Sequence, residues 1–245
     1  MRVLAFDTST RATSCAIVDN GKLLGEMYTD FKLKSSEKIL IMLKHLLDYT
    51  RVDMADISLL AVNTGPGSFT GIRVGAATAK AIGHALGLDI VPVSSLEATA
   101  YQHSSFEGLI CPIFDAQQGN VYTGAYDFKG QRMRCLYRDS TMPIKDILLK
   151  LPVNEKIIFC GDGISLHKET ISEALGSRAH YASALSVLPH AASSALIAYE
   201  GSNMMPATTY KDLLPNYLRK SQAQIELESK QQDMPGIAES ESEDL

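Results

Sequence analysis

Apolar positions at the start of the chain fall into short blocks with strand character. Residues 2–7 and 13–19 read as strands, and Asn20-Gly21 between apolar runs marks a two-residue hairpin leading to a third strand near 22–29, an antiparallel meander. From Ser36 to Thr50 the period changes. Ile39, Met42, Leu43, Leu46 and Leu47 recur at helical spacing, with Ser35 or Ser36 placed to cap and Glu37 in the first turn. The run 57–62 predicts a buried strand, and the small-residue segment 71–86 predicts a helix ended by Gly87 in a left-handed conformation. A further strand is expected at 88–93. Three antiparallel strands followed by alternating helices and strands imply a mixed sheet carrying helices.

A second set begins near Leu109. It reads as a strand at 109–114, a turn around Gln117–Asn120, and strands at 121–128 and 131–138. A helix from about Pro143, a strand at 156–160, a helix over 165–175 and a last helix led by Pro189 follow. The fold class expected is therefore α/β with two similar lobes, 1–104 and 105–188. The segment 189–221, including Pro215–Arg219, is expected to return to the first lobe. Residues 222–245 end in the acidic run Glu239–Leu245, which cannot bury a face, and are expected to form a mobile tail.

With 245 residues, 45% of them hydrophobic, the chain can bury one large core or two modest ones. A formal charge of −5 argues against nucleic acid being gripped by the whole surface, so RNA would require a local basic patch or a bridging partner. The first apolar run is too short for a signal peptide and no stretch reaches the length of a membrane span, so no membrane partner and a cytoplasmic location are expected. Cys15, Cys111, Cys135 and Cys160 are widely spaced without a Cys-x-x-Cys and are expected to be reduced core thiols.

The densest chemical signal is Asn63-Thr64-Gly65-Pro66-Gly67-Ser68-Phe69-Thr70-Gly71-Ile72-Arg73, a glycine-rich turn between a strand and a helix. Such a turn aims backbone amides toward the positive end of the helix dipole and suits either a phosphate or a closely docked backbone. A Walker loop needs Lys-Ser/Thr after its last glycine, where Ile72-Arg73 stands. A Rossmann turn needs glycine where Thr70 stands. Both uses of the loop remain open. The six histidines contain no pair at ligand spacing, so no metal site is expected, and neither a Gly-x-Ser-x-Gly elbow nor a His-Glu-x-x-His site is present.

The turn Asp7-Thr8-Ser9-Thr10 after the first strand, followed by a meander, resembles the first phosphate loop of the acetate kinase, sugar kinase and actin superfamily. Together with the Gly65–Arg73 loop, the helix from Val74 to Gly83, Pro92–Ala98, Phe114-Asp115-Ala116, Val121-Tyr122 and Pro215–Arg219, it resembles the bacterial TsaB (YeaZ) family of tRNA threonylcarbamoyladenosine biosynthesis proteins. The resemblance implies two lobes of ribonuclease H-like, actin-like ATPase build. It also implies a non-catalytic role: activation of a TsaD-type threonylcarbamoyl transferase together with a TsaE-type ATPase, with tRNA reached through the complex. The His-x-x-x-His pair of the catalytic paralogue has no counterpart in Leu33–Leu43.

On this reading the chain has no catalytic residue, metal or cofactor of its own, although a nucleotide could sit at a subunit boundary. Asp7, Thr8, Ser9, Gly65, Gly67, Ser68, Thr70 and Arg73 would be degenerate phosphate-loop positions. Ile39, Met42, Leu43 and Leu46 of one helix, with Gly75, Ala76, Ala79 and Gly83 of the next, would form the partner interface, or a homodimer interface when the partner is absent. Ala76→Arg or Ala79→Arg is then expected to weaken the complex. Gln117 and Asn120 depart from an arginine and a glutamate common in relatives. The alternative is a free-standing phosphotransferase in which Asp7 holds Mg²⁺ through water while Thr8, Ser9 and the Gly65–Gly71 loop bind phosphates.

Overall fold

The computed structural model describes residues 1–31, 35–201 and 207–219, with backbone alone at Ser35 and Ser36; the expected serine cap and the acidic tail lie outside the described side chains and residues. The first lobe holds β1 (Arg2–Asp7), β2 (Thr13–Asp19), β3 (Lys22–Thr29), α1 (Ser35–Thr50), β4 (Leu59–Gly65), α2 (Phe69–Leu86), β5 (Ile90–Ser94) and α3 (Ser95–Tyr101). The second holds β6 (Leu109–Asp115), β7 (Asn120–Lys129), β8 (Arg132–Pro143), α4 (Ile144–Lys150), β9 (Ile157–Cys160), α5 (Ile164–Leu175) and β10 (Ala179–Tyr181), and α6 (Ala191–Gly201) follows.

The two sheets have one topology. In the first the order is β3-β2-β1-β4-β5, and in the second β8-β7-β6-β9-β10; each is an antiparallel meander followed by two parallel strands. β1 is central and covered on both faces, which explains its unbroken apolar run. Leu4 and Phe6 pack toward α1 and α2, and Val3 and Ala5 toward α6. The segment after the second lobe thus returns to the first, through Ala191, Ala195 and Ala198 against Ala16 and Val18. α3 makes the reciprocal contact: Ala98 belongs to the first-lobe core, while Leu96 and Ala100 pack with Ile110, Phe114 and Tyr126 of the second.

Where boundaries differ from the sequence pattern, the causes are local. Ser68 caps α2 by accepting from the Gly71 amide at 3.3 Å, so the helix starts at Phe69 and not at 71, while Gly87, at φ +65°, ends it as expected. α3 and the three-residue β10 are additions to the expected elements. Cys135 is exposed on β8, correcting its assignment as a core thiol; Cys15, Cys111 and Cys160 are buried and free.

The residues of the expected partner face are largely buried within the chain itself. Ile39, Leu43, Leu46, Ala76 and Ala79 sit in the first-lobe core, with Ala76 5% and Ala79 0% exposed. Gly75 faces Thr8 and Val62, and Gly83 faces Leu88 and Ile90. Met42 is partly buried against the same core. A helix lying on its own sheet buries its apolar stripe there first, so these residues, Met42 apart, are buried within this chain.

Candidate functional site

A cleft of about 430 Å³ opens between the lobes, where the strand ends converge. Ser9, Arg11, Gly67 and Ser68 line it from the first lobe, Asp115 and Asp162 from the second, and residues 216–219 run along it.

The first-lobe loops bind one another across this edge. The Ser68 amide donates to the Ser9 carbonyl at 2.6 Å, and the Thr8 hydroxyl donates to the Gly71 carbonyl at 2.6 Å. A Cβ on Gly67 would strike the Ser9 carbonyl, one on Gly71 the Thr8 carbonyl, and one on Gly75 would come 2.6 Å from the Thr8 hydroxyl. These glycines permit a close backbone approach between the two loops. Thr70 is exposed in the first turn of α2.

Asp7 is sealed beneath this joint. Its Oδ1 accepts from the Ser9 amide at 2.8 Å, and Oδ2 has no partner among the described residues. Burial pushes its pKa up to about 6, against the opposing hydrogen bonds of Ser9 and the charge of His190. It does not line the cleft. Of the groups that read as a nucleotide's phosphate and Mg²⁺ ligands, Asp7 and Thr8 are buried and bonded within the first lobe, whereas Ser9, Gly67 and Ser68 border the cleft.

The second lobe repeats the arrangement. The Gly163 amide donates to the Ile113 carbonyl at 3.1 Å, and a Cβ on Gly161 would strike the same carbonyl. Asp162 accepts from the Asp115 amide at 3.1 Å, and Asp115 accepts from the Gln117 amide at 2.7 Å, so both carboxylates hold turns. Burial raises the pKa of Asp162. The Gln117–Asn120 turn is closed by Asn120 N to Gln117 O at 3.1 Å, leaving it intact with the substitutions present.

Arg73 packs against aromatic rings beside the cleft. Its guanidinium lies 4.0 Å over the Phe69 ring, and its Nε donates to the Tyr217 hydroxyl at 3.0 Å. Sequence reasoning missed Phe69, Tyr217, Arg219 and Arg11 as shapers of the cleft; the Pro215–Arg219 motif was the available signal. Among the described residues no group of three or more His, Cys, Asp or Glu is placed to hold a metal, and no helix is long and apolar enough to cross a membrane.

Two lobes of one ribonuclease H-like topology, with a cleft at their strand ends, define the actin-like ATPase fold. The solved (R)-2-hydroxyglutaryl-CoA dehydratase component A of Acidaminococcus fermentans shares it at 11% identity and TM-score 0.50, over 83% of this chain and 99% of that one. The profile of the TsaD family, tRNA N6-adenosine threonylcarbamoyltransferase, matches residues 30–227. The tRNA threonylcarbamoyladenosine biosynthesis protein TsaB of Bacillus subtilis is 33% identical over 225 residues, 91% of this chain and 96% of that protein. The structure of YeaZ from Pseudomonas aeruginosa matches at TM-score 0.77 and 26% identity, covering 89% of this chain and 99% of that one. The chain belongs to the TsaB (YeaZ) family of tRNA threonylcarbamoyladenosine biosynthesis proteins, and membership supports a role in that modification.

Proposed function

We propose that the chain is a non-catalytic partner that docks on and activates a TsaD-type threonylcarbamoyl transferase, working with a TsaE-type ATPase on tRNA bound by the complex. The observation that carries this reading is the outer face of α1, where Leu40 and Ile41 are 60% and 59% exposed although the opposite stripe of the helix is already buried in the core. Tyr49, 82% exposed, lies near the helix end, and Phe31, also exposed, precedes the helix. Two large apolar side chains left in water on a helix whose opposite stripe is buried suit contact with a partner. The same face would pair two copies when the partner is absent.

What weighs against the phosphotransferase alternative is the sealing of Asp7 and the mutual bonding of the Ser9 and Ser68 loops. The test is size-exclusion chromatography of this chain with a purified TsaD-type protein, comparing the native chain with Ile41→Arg. Co-elution lost in the variant, with the native circular dichroism spectrum retained, is the expected result. Undiminished co-elution by Ile41→Arg and by Leu40→Arg would overturn the assignment of this face.

A further inference from the structure

We propose that Pro215–Arg219 is a brace that fixes the angle between the two lobes, with Arg219 as the latch on the second lobe. The chain leading to it is tied to the first lobe. Thr208 and Ile90 exchange backbone hydrogen bonds at 2.8 and 2.9 Å, Leu213 is buried in the first-lobe core, and the Tyr210 ring lies 4.5 Å from that of His84.

The brace itself continues this attachment. The Asn216 amide donates to the Thr64 carbonyl at 2.8 Å, and the Asn216 carbonyl lies so close to Gly65 that a Cβ there would come within 2.7 Å. The Tyr217 ring stacks on Phe69 at 4.4 Å, where Arg73 holds both. Two residues on, the chain changes lobe. The Arg219 guanidinium donates to the Ala116 carbonyl and, at 3.3 Å, to Gln118 Oε1, both on the turn between β6 and β7.

The segment from Thr208 to Tyr217 is thus fixed to one lobe, and one guanidinium connects it to the turn of the other. Because residues 216–219 line the cleft, the brace also sets its width. Arginine suits the latch. Its planar fork reaches two acceptors in one orientation and stays charged at any working pH, whereas a lysine ammonium would present a single point charge.

The experiment is a distance measurement by double electron–electron resonance. Labels at Ala77 on α2 and Glu169 on α5, both exposed, report across the cleft, and labels at Lys44 and Ala77 report within the first lobe. The background carries Cys135→Ser, since Cys135 is exposed while the other three cysteines are buried. Arg219→Ala is expected to lengthen and broaden the inter-lobe distribution and to leave the within-lobe distribution unchanged, and Arg219→Lys to fall between native and alanine. An inter-lobe distribution unchanged in Arg219→Ala would overturn the brace. So would equal broadening of both pairs, which would mark general loosening of the fold.

Discussion

The Ser68 amide donates to the Ser9 carbonyl at 2.6 Å, so the glycine-rich loop before α2 is bonded to the loop after β1. This contact packs the segment that reads as a phosphate cradle against its neighbouring loop. Gly71→Ala would force a methyl group into the Thr8 carbonyl, and overpacking of this kind costs about 1–3 kcal/mol. A lowered urea midpoint in the purified chain without any ligand checks this; an unchanged midpoint would return the loop to the anion-binding reading.

The two faces of the first-lobe helices should respond differently to charge. Ile41→Arg alters an exposed position and is expected to shift folding stability by no more than about 0.5 kcal/mol while abolishing partner binding. Ala79→Arg places a guanidinium at a fully buried site and is expected to prevent folding. Thermal melts of the two variants, read beside partner binding, separate surface from core. The substitutions at Ala76 and Ala79 anticipated from sequence therefore report on folding.

Glu97 gives the protein a pH dependence of a stated sign. Burial, and then the nearby Asp139 carboxylate, push its pKa up to about 7. Tyr126 and Ser94 both donate to Asp139, at 2.5 Å from the tyrosine, so this group joins the lobes. In the unfolded chain a glutamate titrates near about 4.3. The folded protein thus holds more protons between these values, and stability falls as pH rises through the window. Glu97→Gln is expected to be more stable than native by about 3–4 kcal/mol at pH near 8 and equal to it at pH near 4. Parallel pH profiles would contradict the assignment.

His190 acts in the same direction for the opposite reason, because here the fold favours the charged form. The Glu26 hydrogen bond, at 3.0 Å, and its charge raise the imidazole's pKa, with a smaller contribution from Asp7, against the lowering effect of burial. Glu26 also accepts from the Ala192 amide at 2.9 Å and so caps α6. The stabilisation is complete below the unfolded histidine pKa and is lost as pH rises through the raised folded value. Hydrogen exchange of the Ala191 and Ala192 amides, corrected for intrinsic rate, should show protection falling across that range, and Glu26→Gln should flatten the change.

The meander, the amphipathic α1, the repeat of one α/β pattern and the Gly87 stop were legible because period and turn chemistry are local. α3 was missed although its signal was there: Ser94 accepts from the Leu96 and Glu97 amides at 3.1 and 3.3 Å, the capping that Ser94-x-x-Glu97 signals. The orientation of α2 was not. Gly75, Ala76, Ala79 and Gly83 form one stripe whether a sheet or a partner covers them, and spacing does not distinguish the two. Arg73 with Tyr217, 144 positions apart, and Arg219 on Ala116 join residues that no periodicity connects.

The most direct test of the account is threonylcarbamoyl transfer to tRNA by a purified TsaD-type enzyme and TsaE-type ATPase supplied with the activated threonylcarbamoyl donor, with and without this chain. The account predicts transfer only when the chain is present and loss of that stimulation with Ile41→Arg. Equal transfer with and without the chain would contradict it.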